Sequence, residues 1–240
     1  MKNGKPSLFF DIRYYLDSDP AHHKNYFELQ AYGRRLAWLL NARGMSFGSF
    51  DTLTFLTDKK LTEQTLGEVG TGENWWFRNV YVGSHLEFKD EQKSLEAGRE
   101  ATLTALRQLC PDKSDQIDGA DKIAMLYGES LRFVVRSKDY AKYRLELATN
   151  ISAHPSEDHY YALITEKPTG DVVEVGPIQS GIYLLAKAEL AGVGIRDFEV
   201  KRDDRGDLCA SSSLGQIVAN GSSRYMNESL YVSMVKRGPA

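Results

Sequence analysis

Apolar positions recur along the chain in two periods. Ser7–Leu16 is dense in aromatic and branched aliphatic residues and predicts a strand. After the turn formers of Asp17–Lys24, residues Leu29, Tyr32, Leu36, Leu39 and Leu40 share one helical face, away from Gln30, Arg34, Arg35 and Asn41. Asn25 is the expected N-cap, with Glu28 at the reciprocal position and Gly44 as the stop. Thr52–Leu56 and Trp75–Val82, the latter with a continuation to Phe88, predict two further strands. The stretch containing Gly67, Gly70 and Gly72 is expected as a loop between them. Asp90 opens a second helix, whose face carries Leu95, Leu103, Leu106 and Cys110, and Pro111 ends it.

The first half therefore reads β-α-β-β-α, and a strand over Ile123–Tyr127 would complete a ferredoxin-like unit. The second half is richer in strands: Arg132–Arg136, Lys142–Ala148, Tyr160–Thr165, Val172–Val175, Ile195–Lys201 and Leu230–Val235. A third helix is expected over Gln179–Ala191. The expected fold class is α+β, a mainly antiparallel sheet with two or three amphipathic helices. It is read as a single α+β domain over 1–240, with a candidate subdomain boundary at 110–121.

Charge narrows the function classes. Thirty Lys and Arg face 33 Asp and Glu, a formal charge of −3, which disfavours a protein that clamps a nucleic-acid backbone. Two cysteines cannot build a disulfide framework or a four-thiolate metal site, and Cys110 on an apolar helical face is expected to be a structural thiol. Neither a secretory signal nor an apolar run of membrane-spanning length stands out, so a cytoplasmic protein without membrane contact is expected.

Catalytic grammar is sparse. His22 and His23 crowd a loop with Asp17 and Asp19, and His154 and His159 flank Glu157 and Asp158. These four histidines are the catalytic candidates, because a general base often sits on a loop that follows a strand. No metal is expected, since no helical His pair fixes ligand geometry, and no cofactor motif occurs. Gly67–Gly72 lacks the Lys-Ser/Thr of a phosphate loop. Ser233-Met234-Val235-Lys236 fits S-x-x-K only as a string, since a strand turns positions three apart to opposite faces.

Aromatics carry the most information. They make up 11% of the chain, 13 of them Tyr, and several are adjacent. Adjacent strand residues point to opposite faces, so either both faces are covered or one member of each pair is displayed. Trp75, Trp76, Tyr14, Tyr15, Tyr160 and Tyr161 are therefore the candidate partner-binding residues, Tyr and Trp being favoured interface anchors. The expected function is binding and occluding another protein; in general character the chain resembles bacterial toxin-immunity proteins, which neutralise by covering. Two alternatives stay open: RNA binding or processing on ferredoxin-like units, and a hydrolase using a loop His with a carboxylate.

Overall fold

A computed structural model describes residues 7–16, 26–58, 60–71, 76–83, 90–154, 158–170, 172–178, 198–202, 208–212 and 230–233. The chain divides into two compact units, the first running up to Gly128 and the second from Glu129 to Ser233. The fold is α+β with mainly antiparallel strand pairs. The division falls beyond the polar stretch Cys110–Asp121, most of which is helical.

In the first unit, strand β1 (Ser7–Leu8) is followed by β2 (Asp11–Tyr15), helix α1 (Phe27–Ala42) and strands β3 (Ser46–Gly48), β4 (Thr52–Thr57), β5 (Thr65–Val69) and β6 (Phe77–Val82). Helices α2 (Glu91–Leu109) and α3 (Ser114–Tyr127) close it. The expected β-α-β-β-α order is present as β2-α1-β4-β6-α2, with short strands added. The four-stranded sheet runs β2-β4-β6-β5; β2, β4 and β6 are parallel and β5 returns antiparallel to β6.

Three expectations are corrected. Ser7–Leu16 is two strands in different sheets, because Phe9 leaves the ladder to pair its N–H with the Met45 carbonyl, at 2.9 Å. Ile123–Tyr127 is the end of α3 and not a strand. Buried Ile117, Ala120, Asp121 and Ala124 fall at helical spacing, a period visible only over a wider window. The unit is thus not ferredoxin-like. Finally, the glycine-rich stretch is not all loop. Gly67 lies inside β5, where a Cβ would fall 2.8 Å from the Tyr81 ring, so it marks a close approach within the sheet.

Capping follows the sequence at three of the four helix ends it addressed. Asp90 Oδ1 accepts from the Lys93 N–H at 2.9 Å, and Pro111 lies just past the end of α2. Gly44, at φ +73°, donates its N–H to the Asn41 carbonyl while Met45 donates to Leu40, the paired bonds of a Schellman stop. At the start of α1, Tyr26 stands at the cap, and the Glu28 carboxylate accepts from Arg35 at 2.8 Å instead of reaching back. Asn25 lies outside the described residues.

The core is helix on sheet. Leu29, Leu36, Leu40, Leu95, Leu103 and Leu106 are all buried, as their period predicts. Helix α1 lies close on β2 because Gly33 has no Cβ: one there would meet the Tyr14 ring at 2.7 Å. Gly98 does the same between helices, where a Cβ would come within 2.5 Å of Leu29.

The second unit's sheet runs β10-β9-β8-β7-β13, from β7 (Leu131–Asp139), β8 (Tyr143–Thr149), β9 (Tyr160–Glu166), β10 (Val172–Ile178) and β13 (Leu230–Ser233). All its pairs are antiparallel except β13 with β7. A separate hairpin joins β11 (Phe198–Arg202) and β12 (Leu208–Ser212). The expected loop at Lys167–Gly170 turns from β9 to β10, with Gly170 at φ +76°. The helix expected over Gln179–Ala191 lies outside the described residues.

Candidate functional site

Alternation along β2 sorts its residues. Ile12, Tyr14 and Leu16 are buried toward α1, while Arg13 and Tyr15 turn to the other face. The register places Tyr15, Leu56 and Tyr81 in one row of that face and Arg13, Thr54 and Asn79 in the next, all half-buried or exposed. Tyr15 is the most open of them at 53%.

Beside Tyr15 stands a packed cation. The Arg13 guanidinium lies 5.4 Å from the Trp76 ring centroid, within range of the ring's negative face. Its Nε donates to Asp11 Oδ2 at 2.7 Å. Burial works against the Arg13 charge, but Asp11, with Tyr15 adding to it, holds the guanidinium above its ordinary value. Burial pushes the Asp11 carboxyl up, only partly opposed by Arg13. Trp76 is half-buried and braced edge-on by Phe77, centroids 4.9 Å apart. Arg13 and Trp76 thus brace one another on one side of the sheet, beside the exposed Tyr15. Such a surface loses little side-chain entropy on binding.

The other nominated aromatics lie elsewhere. Tyr14 is 4% exposed, stacks on Phe55 and shares a 2.7 Å hydrogen bond with Thr102 Oγ1. Tyr161 is buried beneath Arg132, whose guanidinium sits 3.8 Å from the ring centroid. Tyr160 lies in β9, and its side chain is outside the described residues, as is Trp75. Arg13 was missed by the sequence reading; its signal was its place two residues before Tyr15, on the same strand face.

Of the catalytic candidates, His154 and His159 lie in the connection from β8 to β9. His22 and His23 lie outside the described residues. The loop from β8 to β9 is tied by Ser152, whose N–H donates to Asp158 Oδ1 at 2.7 Å and whose hydroxyl donates to the His154 carbonyl at 2.8 Å. His159 enters through its backbone: its N–H donates to Asn150 Oδ1 at 2.7 Å, and its carbonyl accepts from Thr149 Oγ1. Cys110 is half-buried at the end of α2, and burial pushes its thiol up, away from nucleophilic use. Cys209 lies in β12. Ser233 lies in β13, a strand as expected, and Lys236 is outside the described residues. Among the described residues, no three His, Cys, Asp or Glu gather as a metal would need, and no helix is long and apolar enough to cross a membrane.

No family model, no curated protein and no solved structure matches this chain.

Proposed function

We propose that the chain binds another protein and acts by covering it, with Tyr15, Arg13 and Trp76 as the anchoring patch. The observation that carries this reading is Tyr15: a strand tyrosine, 53% exposed, next to an Arg braced on a Trp. Tyr, Trp and Arg are the residue types that dominate binding energy at protein interfaces. The Arg13 charge is met internally by Asp11, so the patch asks for an apolar pocket with a hydrogen-bond acceptor for the Tyr15 hydroxyl. It does not ask for an acidic surface. Neutralisation of a toxin by occlusion is the specific form this function takes. The RNA reading draws on the same aromatics, which stack bases as readily, but an overall charge of −3 supplies no backbone-tracking field.

The test is purification of the intact chain from its source cell, with Tyr15→Ala and Trp76→Ala variants in parallel. A stoichiometric protein should accompany the wild type, survive nuclease treatment and be lost from the Tyr15→Ala chain. Equal retention by both variants, or association that nuclease removes, overturns the proposal.

A further inference from the structure

We infer that Gln30 closes the outer edge of the first unit's sheet by standing in for a missing strand. Among the described residues, strand β2 is terminal in the order β2-β4-β6-β5, so one side of its backbone meets no described strand of that sheet. An edge of this kind presents N–H and C=O groups that template pairing with another chain. At Tyr14 both groups are taken. The Tyr14 N–H donates to Gln30 Oε1 at 3.4 Å, and the Tyr14 carbonyl accepts from Gln30 Nε2. One side-chain amide thus exchanges a donor and an acceptor with one backbone residue, the pattern a facing strand residue makes in a hydrogen-bonded pair.

The residue type is what the geometry requires. Asn and Gln carry an N–H donor and a C=O acceptor side by side on one uncharged amide, the same pair of groups that a backbone residue offers. Gln30 sits in the first turn of α1, and Gly33, one turn on, lets the helix lie against the same strand. A Cβ on Gly33 would fall 3.2 Å from the Ile12 carbonyl oxygen. The two positions are three apart on one helix and meet Tyr14 and Ile12, two apart on one strand. The opposite edge is guarded differently. Strand β5 has a register shift between Leu66 and Val69 and exposes Glu68, so it is irregular and charged. Gln30 is therefore the guard of the regular edge, and its loss opens a template for strand addition. This inference stands whether or not the Tyr15 patch binds a partner.

Sedimentation of the full chain across a concentration series tests it, with hydrogen exchange at the Tyr14 amide as the second readout. Gln30→Ala should associate more strongly than the wild type as concentration rises. Gln30→Lys, which opens the same edge but places a charge on it, should not. The Tyr14 amide should exchange at least about tenfold faster in Gln30→Ala at low concentration. A folded Gln30→Ala chain that sediments as the wild type does, or association that Gln30→Lys shares, overturns the inference. If Gln30→Ala does not fold, the wild type still decides. A Tyr14 amide exchanging at the rate of unstructured chain would mean that Gln30 guards nothing.

Discussion

Tyr14 and Tyr15 are chain neighbours with opposite environments: the first is 4% exposed and hydrogen-bonded to Thr102, the second 53% exposed beside Arg13. Thr102 already donates its hydroxyl proton to the Gly98 carbonyl at 2.7 Å, so Tyr14 is the donor to Thr102. Burial raises the Tyr14 phenol far above its ordinary value, keeping that proton in place. Tyr14→Phe should cost about 1 kcal/mol in urea unfolding, and Tyr14→Ala about 3–5 kcal/mol. Tyr15→Ala should change stability by no more than about 0.5 kcal/mol. A large loss from Tyr15→Ala would make it structural and remove it from the binding patch.

Gly98 and Leu29 should show strong coupling. A Cβ at 98 meets Leu29 Cδ2 at 2.5 Å in a fully buried contact between α2 and α1. Gly98→Ala should destabilise by about 1–3 kcal/mol, although alanine is the better helix former. Leu29→Ala alone leaves a cavity. In the double variant the new methyl occupies part of it, so the total should fall below the sum of the two single losses. Strict additivity in a double-mutant cycle would show that the helices do not meet there.

Much of this was visible in the periodicity. The leucine stripes of α1 and α2 and the Asp90 and Gly44 signals are local, because each depends on residues within a few turns of one another. The failures involve contacts between distant segments. Gly67 carries the same local signal as a turn glycine, and only the Tyr81 ring packed against it distinguishes the two. The error at 123–127 is of another kind: the strand there rested on completing a ferredoxin-like order, against the local helical stripe that begins at Ile117. For the site, alternation required that one of Tyr14 and Tyr15 face outward. The choice between them depends on Gly33 of α1, which only the fold brings against Tyr14.

Acid should unfold the first unit through Asp121. Burial alone would raise this carboxyl, but hydrogen bonds from Arg99 and Tyr32 outweigh it and hold the group below its ordinary value. Because the folded value is the lower one, this stabilisation is present above the ordinary carboxylate range and is lost as pH falls through the folded value. Asp121→Asn should cost about 1.5–3 kcal/mol at about pH 7 and much less at about pH 3. Urea midpoints for both chains at the two pH values check this; a pH-independent difference contradicts it.

Glu174 should behave in the opposite sense. It lies 4.0 Å from Arg132, its Oε2 is buried without a hydrogen bond, and burial raises its carboxyl further than Arg132 lowers it. The folded chain then holds this proton more tightly than the unfolded one. Stability is lost as pH rises from the ordinary carboxylate value through the folded value. Glu174→Gln should remove that loss and leave the chain at least as stable as the wild type at about pH 7. A markedly lower urea midpoint for Glu174→Gln at that pH would show that the ion pair is net stabilising.

The most direct measurement of the binding account is photo-crosslinking in the source cell, with a photoreactive phenylalanine analogue placed at Tyr15 in one chain and at Tyr14 in another. The account predicts one protein adduct from position 15, insensitive to ribonuclease and absent from position 14, which faces the chain's own core. No protein adduct at position 15, an adduct to RNA alone, or the same adduct from both positions would contradict it.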